Sequence, residues 1–291
     1  RGAVEGQRFM VAAANPHAAE AGRAVLRAGG SAVDAAIAVQ MVLNVVEPQS
    51  SGIGGGGFLI HYAAASGEIA AYDGRETAPS AAKPDRFLGT DGHPIAFGAA
   101  VRSGLSVGVP GVLRMLERVH KEHGRLPWAR LFDPAIEIAE KGFAISPRLY
   151  ASLKADSTLR SMPAGSYFYE PDGQPKAAGA TLRNPELAAT FRTIAREGAE
   201  AFYRGPIAAD IVRAVESAPR ASGSMSLADI AAYEAKKRPA VCGPPVLRLE
   251  LHRPRADRHP QFVDLHCRDG SGAQVLEAEE HHATRGRQAN H

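Results

Sequence analysis

Cysteines, long hydrophobic runs and net charge are all scarce in this 291-residue chain, and each scarcity excludes a class of protein. The longest apolar run, 32–46, is shorter than the roughly 20 residues of a membrane helix and includes Asp34, so we expect no membrane span. The net charge of +3 is spread thinly over residues 1–243, which argues against a nucleic-acid partner. The two cysteines, Cys242 and Cys267, allow at most one disulfide and lack metal-ligand spacing.

Apolar residues make up 45% of the sequence, enough for one substantial core or two small ones. The run at 32–46 is apolar on most sides, which is typical of a buried helix, and Ser31 offers an N-cap for it. Periodicity and cap residues predict further helices over residues 17–30, 111–124, 127–141, 184–197, 206–217 and 226–234. Two β-type runs, 58–63 and 69–73, predict a hairpin, and 162–179 is predicted to be a surface loop.

The most distinctive segment is a glycine loop at 48–58, with the sequence PQSSGIGGGGF. Residues 52–57 satisfy the pattern G-x-G-x-x-G by letter. A dinucleotide-binding loop follows a strand and opens a helix, however, whereas the order predicted here is helix, loop, strand. No Gly-Lys-Ser/Thr follows, which also argues against a phosphate loop. We interpret the loop as either a tight packing turn or a loop that shapes an active site.

Four segments with distinctive sequences follow one another along the chain: EPQSSGIGGGGF at 47–58, DGRETAP at 73–79, GVPG at 108–111 and SLADIAAYEAKKRP at 226–239. In sequence, order and separation they resemble the γ-glutamyltransferases of the N-terminal-nucleophile hydrolase superfamily, which are also called γ-glutamyltranspeptidases or glutathione hydrolases. The resemblance covers the large-subunit part of that family, over roughly residues 1–243.

This resemblance implies an α+β fold, the αββα sandwich of that superfamily, made as one precursor that cuts itself into a large and a small subunit. It implies an enzyme whose small subunit begins with a threonine that attacks the γ-glutamyl amide of glutathione or a related compound. The acyl group then passes to water, an amino acid or a peptide, without a metal or an organic cofactor. The resemblance favours a periplasmic or extracellular location, although the opening residues do not have the order of a secretory signal.

Arg75, in DGRETAP, matches the family arginine that binds the α-carboxylate of the substrate. A guanidinium suits this role because it donates two parallel hydrogen bonds to a carboxylate while the γ-amide stays accessible. From the residues alone, the alternative is an ion pair with Asp73 or Glu76, or a solvated side chain. We predict Arg75 as the substrate-binding residue, and we predict neither a catalytic residue nor a metal ligand in this chain.

The composition changes near Pro244, where arginine, histidine and proline become frequent. The Ser-Gly-Gly segment and the Thr-Thr-His cleavage site of the family do not follow, so we expect the nucleophile to be absent and the chain alone to be inactive. We therefore divide the chain into a large-subunit region, 1–243, and an atypical tail, 244–291, that is poorly ordered or derived from a frameshift. A metal site in the tail is disfavoured, because zinc ligands have other spacings than those of His252, His259, His266, Cys267, His281 and His282.

Three hypotheses about function remain open at this point. The first is γ-glutamyl transfer or glutathione hydrolysis, as the resemblance implies. The second is a noncatalytic remnant that only packs with, or interferes with, a complete partner. The third is a related N-terminal-nucleophile acylase that acts on another amide, such as a cephalosporin side chain. The arginine motif favours a substrate with a free α-carboxylate, which weakens the third hypothesis.

Overall fold

The computed structural model describes residues 6–156, 158–218 and 221–241. These residues form two compact units. The larger unit comprises the described residues up to 59 and from 72 to 236, and the smaller unit comprises residues 60–71 and 237–241. The tail predicted at 244–291, its boundary at 243 and both cysteines lie outside the described residues.

The larger unit is mainly helical. In chain order the helices are α1 Pro16–Arg27, α2 Ala32–Val46, α3 Phe97–Val101, α4 Val112–His123, α5 Asp133–Lys141, α6 Pro147–Ala155, α7 Gly165–Phe168, α8 Pro185–Glu197, α9 Glu200–Tyr203, α10 Pro206–Glu216 and α11 Leu227–Ala231. Short 3-10 helices cover Gly104–Ser106, Trp128–Leu131 and Leu159–Ser161. The strands are β1 Phe58–Ala63, β2 Glu68–Asp73, β3 Phe143–Ala144, β4 Thr181–Leu182 and β5 Lys236–Pro239.

Side-chain caps define the first two helices of the core. The Asn15 side chain accepts a hydrogen bond from the backbone N–H of His17, and Pro16 occupies the first turn of α1, where a helix needs no N–H. Ser31 and Asp34 form a reciprocal capping box at the start of α2. Helix α2 contacts α1, α4 and α5 and has buried residues from Val33 to Val46, with only Ala32 and Ala36 exposed, which confirms the predicted buried helix.

An aromatic cluster joins α5 to α8. The Phe132 ring lies edge to face with both Trp128, at 4.9 Å, and Phe191, at 6.0 Å between ring centroids. Trp128 satisfies its indole N–H by donating to the carbonyl of Ile194 at 3.1 Å. Burying such a side chain contributes about 1.5–3 kcal/mol, so this cluster is a major source of stability on that side of the core.

The strands form two small sheets. Strands β1, β2 and β5 lie in the order β1-β2-β5, and β3 pairs antiparallel with β4, so that Phe143 faces Leu182. β1 and β2 are the predicted hairpin, and Gly67 in their connection has a φ of 70°, which glycine adopts without strain. Within the described ranges, no helix combines the length and the apolar content that crossing a bilayer requires.

Three predicted elements differ from the structure. The helix predicted over 127–141 is divided into a 3-10 helix and α5, because Pro134 has no N–H to donate to the preceding turn. The helix predicted over 226–234 ends at Ala231. The predicted loop at 162–179 contains the short helix α7 and an isolated bridge between Tyr169 and Pro175. Helices α4, α8 and α10 lie where they were predicted, whereas α6 and strands β3, β4 and β5 were not predicted.

Candidate functional site

The glycine loop and the DGRETAP segment lie side by side. Gly57 N donates to Gly74 O at 3.2 Å, and Gly74 N donates to Gly57 O at 2.9 Å, so the two backbones pair like adjacent strands. Gly56 is packed so closely that a Cβ atom there would lie 2.5 Å from Gly74 O and 2.9 Å from Arg75 Cα. At Gly57 a Cβ atom would meet nothing within 4 Å. One part of the loop is therefore a packing turn and another part is open.

The GVPG segment completes the same junction. Val109 N donates to Thr77 O at 2.8 Å, which ties GVPG to DGRETAP. Gly111 N and Val112 N both donate to Gly55 O, at 3.0 and 3.1 Å. The first amides of α4 therefore bind a carbonyl of the glycine loop and are not available to a phosphate. The loop also precedes a strand, which confirms the predicted order and removes the basis for a dinucleotide site.

Arg75 lies in this junction with its backbone held and its side chain open. Its N–H donates to Asp73 Oδ1 at 3.0 Å, and its carbonyl accepts a hydrogen bond from the Tyr233 hydroxyl at 2.6 Å. The side chain is 58% exposed, and its Nε lies 3.4 Å from Glu76 Oε2. Both peptide groups of the residue are thus fixed, while the guanidinium faces solvent with only one carboxylate beside it among the described residues.

The ion pair between Arg75 and Glu76 corresponds in part to the alternative that the residues alone left open. Its contribution is small, about 0–1 kcal/mol, because the arginine is largely solvated and the Nε to Oε2 contact is long. Glu76 Oε2 is shielded from solvent and accepts no hydrogen bond within the part of the chain that the structure describes. The pair leaves the two NH₂ groups of Arg75 free to bind a second carboxylate in the fork geometry.

Tyr233, which binds the carbonyl of Arg75, is itself tightly packed. Its side chain is only 6% exposed and stacks on Tyr203, with 6.0 Å between ring centroids and 18° between ring planes. Burial, and then the negative charges of Asp73 and Glu76, raise the pKa of Tyr233 to about 12. The hydroxyl therefore stays protonated throughout the neutral range and remains a hydrogen-bond donor to the carbonyl of Arg75.

A second contact holds the far end of the DGRETAP segment. Asp229 Oδ1 accepts the backbone N–H of Ser80 at 2.9 Å, while Oδ2 accepts the N–H of Ser226 at 2.9 Å and completes a capping box for α11. Partial burial alone would raise the pKa of Asp229, but the hydrogen bonds from Ser80 and Ser226 lower it to about 2. The carboxylate is thus ionised at neutral pH and binds both segments.

The structure brings together all four segments that the sequence analysis singled out. It places Arg75 at their junction, and it adds two residues that we had not assigned to the site. Tyr233 binds the carbonyl of Arg75, and Asp229 binds the N–H of Ser80. Both lie within the SLADIAAYEAKKRP segment. The resemblance of this segment to the γ-glutamyltransferase family was the signal that could have indicated them. In the described ranges, no three histidine, cysteine or acidic side chains are grouped as metal ligands, and the histidines of the tail lie outside those ranges.

Comparisons of the sequence with known proteins agree on one family. The family model described as Gamma-glutamyltranspeptidase matches residues 18–250. A glutathione hydrolase proenzyme of Bacillus subtilis is 40% identical over 229 residues, which are 79% of this chain and 38% of that protein. Glutathione hydrolase 3 of Arabidopsis thaliana is 40% identical over 237 residues, which are 80% of this chain and 35% of that protein. The chain thus spans less than two fifths of the length of these curated relatives.

Solved structures show the same fold. The γ-glutamyltranspeptidase of Helicobacter pylori superposes with a TM-score of 0.78 at 33% identity, over 84% of this chain and 69% of that chain. A cephalosporin acylase from Bacillus halodurans superposes with a TM-score of 0.65 at 26% identity, over 84% of this chain and 48% of that chain. Both are N-terminal-nucleophile hydrolases, which confirms the predicted α+β fold class of that type.

Proposed function

Since the chain belongs to the γ-glutamyltranspeptidase family, we propose that residues 1–243 are the large-subunit region of a γ-glutamyltransferase or glutathione hydrolase. In this proposal, Arg75 binds the α-carboxylate of glutathione or of another γ-glutamyl compound. The partner of this region is the small subunit of the same precursor. We propose that the atypical tail, 244–291, has no part in this role, although the family match extends to residue 250.

The observation that carries the proposal is the geometry of Arg75. An arginine that binds a ligand needs a fixed backbone and an accessible guanidinium. Ordering a mobile residue upon binding costs free energy and weakens the affinity for the ligand. Arg75 meets this requirement, because its N–H and carbonyl are both hydrogen-bonded and its side chain is 58% exposed. An arginine that only stabilised the fold would satisfy its guanidinium within the chain, as Arg118 does by donating to Ala235 O at 2.7 Å.

The proposed chemistry is acyl transfer through a covalent intermediate. The hydroxyl of the small subunit's N-terminal threonine attacks the γ-carbonyl carbon, and the threonine's own amine takes up the hydroxyl proton. The bond from this carbonyl carbon to the departing nitrogen breaks, and that nitrogen leaves as an amine after it receives a proton. Water or an acceptor amine then attacks the γ-glutamyl ester and releases the threonine. Arg75 holds the α-carboxylate throughout and takes part in no bond change.

A chimeric enzyme tests the role of Arg75. Residues 18–243 replace the matching segment of the Bacillus subtilis glutathione hydrolase proenzyme, and release of p-nitroaniline from γ-glutamyl-p-nitroanilide measures activity. Arg75→Lys is expected to raise KM about 10- to 100-fold, because a charged hydrogen bond contributes about 1.5–3 kcal/mol and lysine cannot form the two-pronged contact. Arg213→Lys is the matched control, since Arg213 is an exposed arginine paired with Asp210 on α10.

An unchanged KM for Arg75→Lys would refute the assignment of this residue. Cleavage of the chimeric precursor into two subunits, seen on a denaturing gel, shows that each variant has folded. Because we infer that the nucleophile belongs to the small subunit, we expect the 291-residue chain alone to release no p-nitroaniline.

A second candidate function is hydrolysis of another amide, which the similarity to the Bacillus halodurans cephalosporin acylase favours. Offering the chimera butyryl-p-nitroanilide, which keeps the acyl chain and the amide but lacks both the α-amino and the α-carboxylate groups, separates the two functions. A γ-glutamyltransferase that relies on Arg75 is expected to process the butyryl amide poorly, and Arg75→Lys is expected not to change that residual rate. Equal rates on both substrates would favour the acylase, and an inactive but fully processed chimera would favour a noncatalytic remnant.

A further inference from the structure

Two contacts connect residues 226–233, here called the bracing segment, to the DGRETAP segment and the serine after it. Tyr233, at one end, donates its hydroxyl hydrogen to Arg75 O at 2.6 Å. Asp229, within α11, accepts the N–H of Ser80 at 2.9 Å. The contacts lie on either side of residues 76–79, so the bracing segment holds this stretch of chain at both of its ends.

We propose that Tyr233 is the positioning residue for Arg75 and that the bracing segment fixes the direction in which the arginine presents its guanidinium to a γ-glutamyl substrate. This inference rests on the proposed function and extends it to a residue that does not touch the substrate. The hydroxyl of Tyr233 acts through the carbonyl of Arg75, and Asp229 acts through the N–H of Ser80.

Tyr233 is itself held in place by its neighbours. Its ring stacks on Tyr203, and the Arg114 guanidinium lies 4.3 Å from the centroid of the Tyr203 ring. Arg114 in turn donates to Glu200 at 2.5 Å, and the Tyr203 hydroxyl accepts the N–H of Arg114 at 3.2 Å. Tyr233 is therefore held by a layered set of contacts between α4 and α9, and it can transmit that rigidity to the carbonyl it binds.

The Tyr233 hydroxyl lies in a closely packed position beside Gly111. A Cβ atom at Gly111 would lie 2.2 Å from both Gly74 O and the Tyr233 hydroxyl. Glycine at this position therefore allows Tyr233 to approach the backbone at Gly74 and Arg75. The GVPG segment thus contributes to the brace, because a side chain at Gly111 would occupy the position of the Tyr233 hydroxyl.

The brace leaves the guanidinium of Arg75 accessible. Both peptide groups of Arg75 are bonded, yet its side chain is 58% exposed and its nearby ion pair is weak. Contacts of this kind order the backbone and leave the guanidinium free. If the brace is lost, Arg75 is in the binding orientation only part of the time. The apparent affinity for the substrate then falls in proportion to that fraction.

Hydrogen exchange on the full 291-residue chain tests the brace directly. Tyr233→Phe keeps the ring and its stacking and removes only the hydroxyl, so amides 75–77 are expected to exchange about fivefold faster, the change that losing one hydrogen bond produces. Tyr169→Phe is the matched control, because Tyr169 is also 6% exposed and donates its hydroxyl to the carbonyls of Leu153 and Asp156. Unchanged exchange of amides 75–77 in Tyr233→Phe, or equal acceleration in Tyr169→Phe, would overturn the inference.

Kinetics of the chimera separate positioning from general stabilisation. Tyr233→Phe is expected to raise KM for γ-glutamyl-p-nitroanilide about fivefold and to leave kcat within about twofold, because only the binding-competent fraction changes. A fall in kcat with an unchanged KM would sink the positioning role. Asp229→Asn serves as a second variant, with the same split expected in a milder form because the amide oxygen still accepts the N–H of Ser80.

Arg75→Lys in the same assay separates the proposed function of Arg75 from the positioning role of Tyr233. If Arg75→Lys raises KM and Tyr233→Phe does not, the proposed function stands and the positioning inference is wrong. If Arg75→Lys leaves KM unchanged, the proposed function itself fails. If both substitutions raise KM, the double variant is expected to be little worse than Arg75→Lys alone, because Tyr233 acts only through Arg75.

Discussion

Two adjacent glycines of the glycine loop make opposite predictions for the same substitution. A Cβ atom at Gly56 would lie 2.5 Å from Gly74 O and 2.8 Å from Glu76 Oε2, whereas one at Gly57 would meet nothing within 4 Å. Neither glycine has a positive φ, so alanine is compatible with the backbone at both positions. The perturbations are therefore Gly56→Ala and Gly57→Ala, which differ only in the space available to one methyl group.

The expected magnitudes follow from these contacts. At Gly56 the methyl group must move a backbone carbonyl that also accepts the N–H of Gly57, and overpacking of this kind costs about 1–3 kcal/mol. In a chain of this size, 1 kcal/mol corresponds to about 2–4 °C in Tm, so Gly56→Ala is expected to lower Tm by about 2–12 °C. Gly57→Ala restricts only the unfolded chain, so its Tm is expected to stay unchanged or to rise by about 1–4 °C.

Differential scanning calorimetry of the 291-residue chain and the two variants, at one scan rate and one pH, measures these shifts. Equal Tm values for the two variants would refute the reasoning, because they would show that the close approach at Gly56 is not a constraint. A destabilised Gly57→Ala would refute it as well. The pair also separates the two interpretations of the loop, since a packing role requires a penalty at Gly56 and an open face requires tolerance at Gly57.

Two further predictions concern buried or hydrogen-bonded carboxylates. The lowered pKa of Asp229, about 2 against an ordinary value of 3.8, stabilises the fold above about pH 4 and ceases to do so as pH falls through 2. Between pH 5 and pH 2 the wild type should therefore lose about 1–2 kcal/mol of unfolding free energy that Asp229→Asn does not lose, as urea titrations at each pH would show. An identical pH dependence in the two proteins would contradict the assignment. Asp34 is fully buried, and its Oδ2 accepts the backbone N–H groups of Ser31, Arg125 and Leu126. Asp34→Ala is expected to cost about 3–5 kcal/mol in urea unfolding at pH 7, and Asp34→Asn clearly less, because the amide retains one acceptor oxygen. Equal losses would contradict this reasoning.

Most of the helical part of the fold could be predicted because its determinants are local. Helix α2 has the predicted bounds, since Ser31 and Asp34 cap its start and Pro48 follows its end. The helix predicted over 127–141 was wrong in its middle, where Pro134 interrupts the hydrogen bonding that the apolar period suggested. Helix propensity and the period of apolar residues describe a segment in isolation, and a single proline can override both.

The candidate site was predictable only in part. Arg75 was assigned from its resemblance to a family motif, and the assignment of its role is still a prediction. The structure shows which partners hold its backbone: Asp73 lies two residues away, whereas Tyr233 comes from the far end of the described chain. Glu76 was foreseen as an ion-pair partner because it is adjacent, whereas Tyr233 was not foreseen, because nothing in its immediate sequence indicates a distant carbonyl.

The sequence by itself determined where the capped helices α1, α2, α8 and α11 begin, that α2 is buried, and that four motifs stand in the order of one enzyme family. Helix caps, the period of apolar residues and each motif lie within short stretches of chain, and the order of the motifs can be read along it. These features can therefore be recognised without a structure. The tertiary structure alone decided that Tyr233 binds the carbonyl of Arg75 over 158 residues and that Asp229 binds Ser80 over 149. A single hydrogen bond between such distant residues leaves no periodic trace in the sequence, because it depends on where the intervening elements pack.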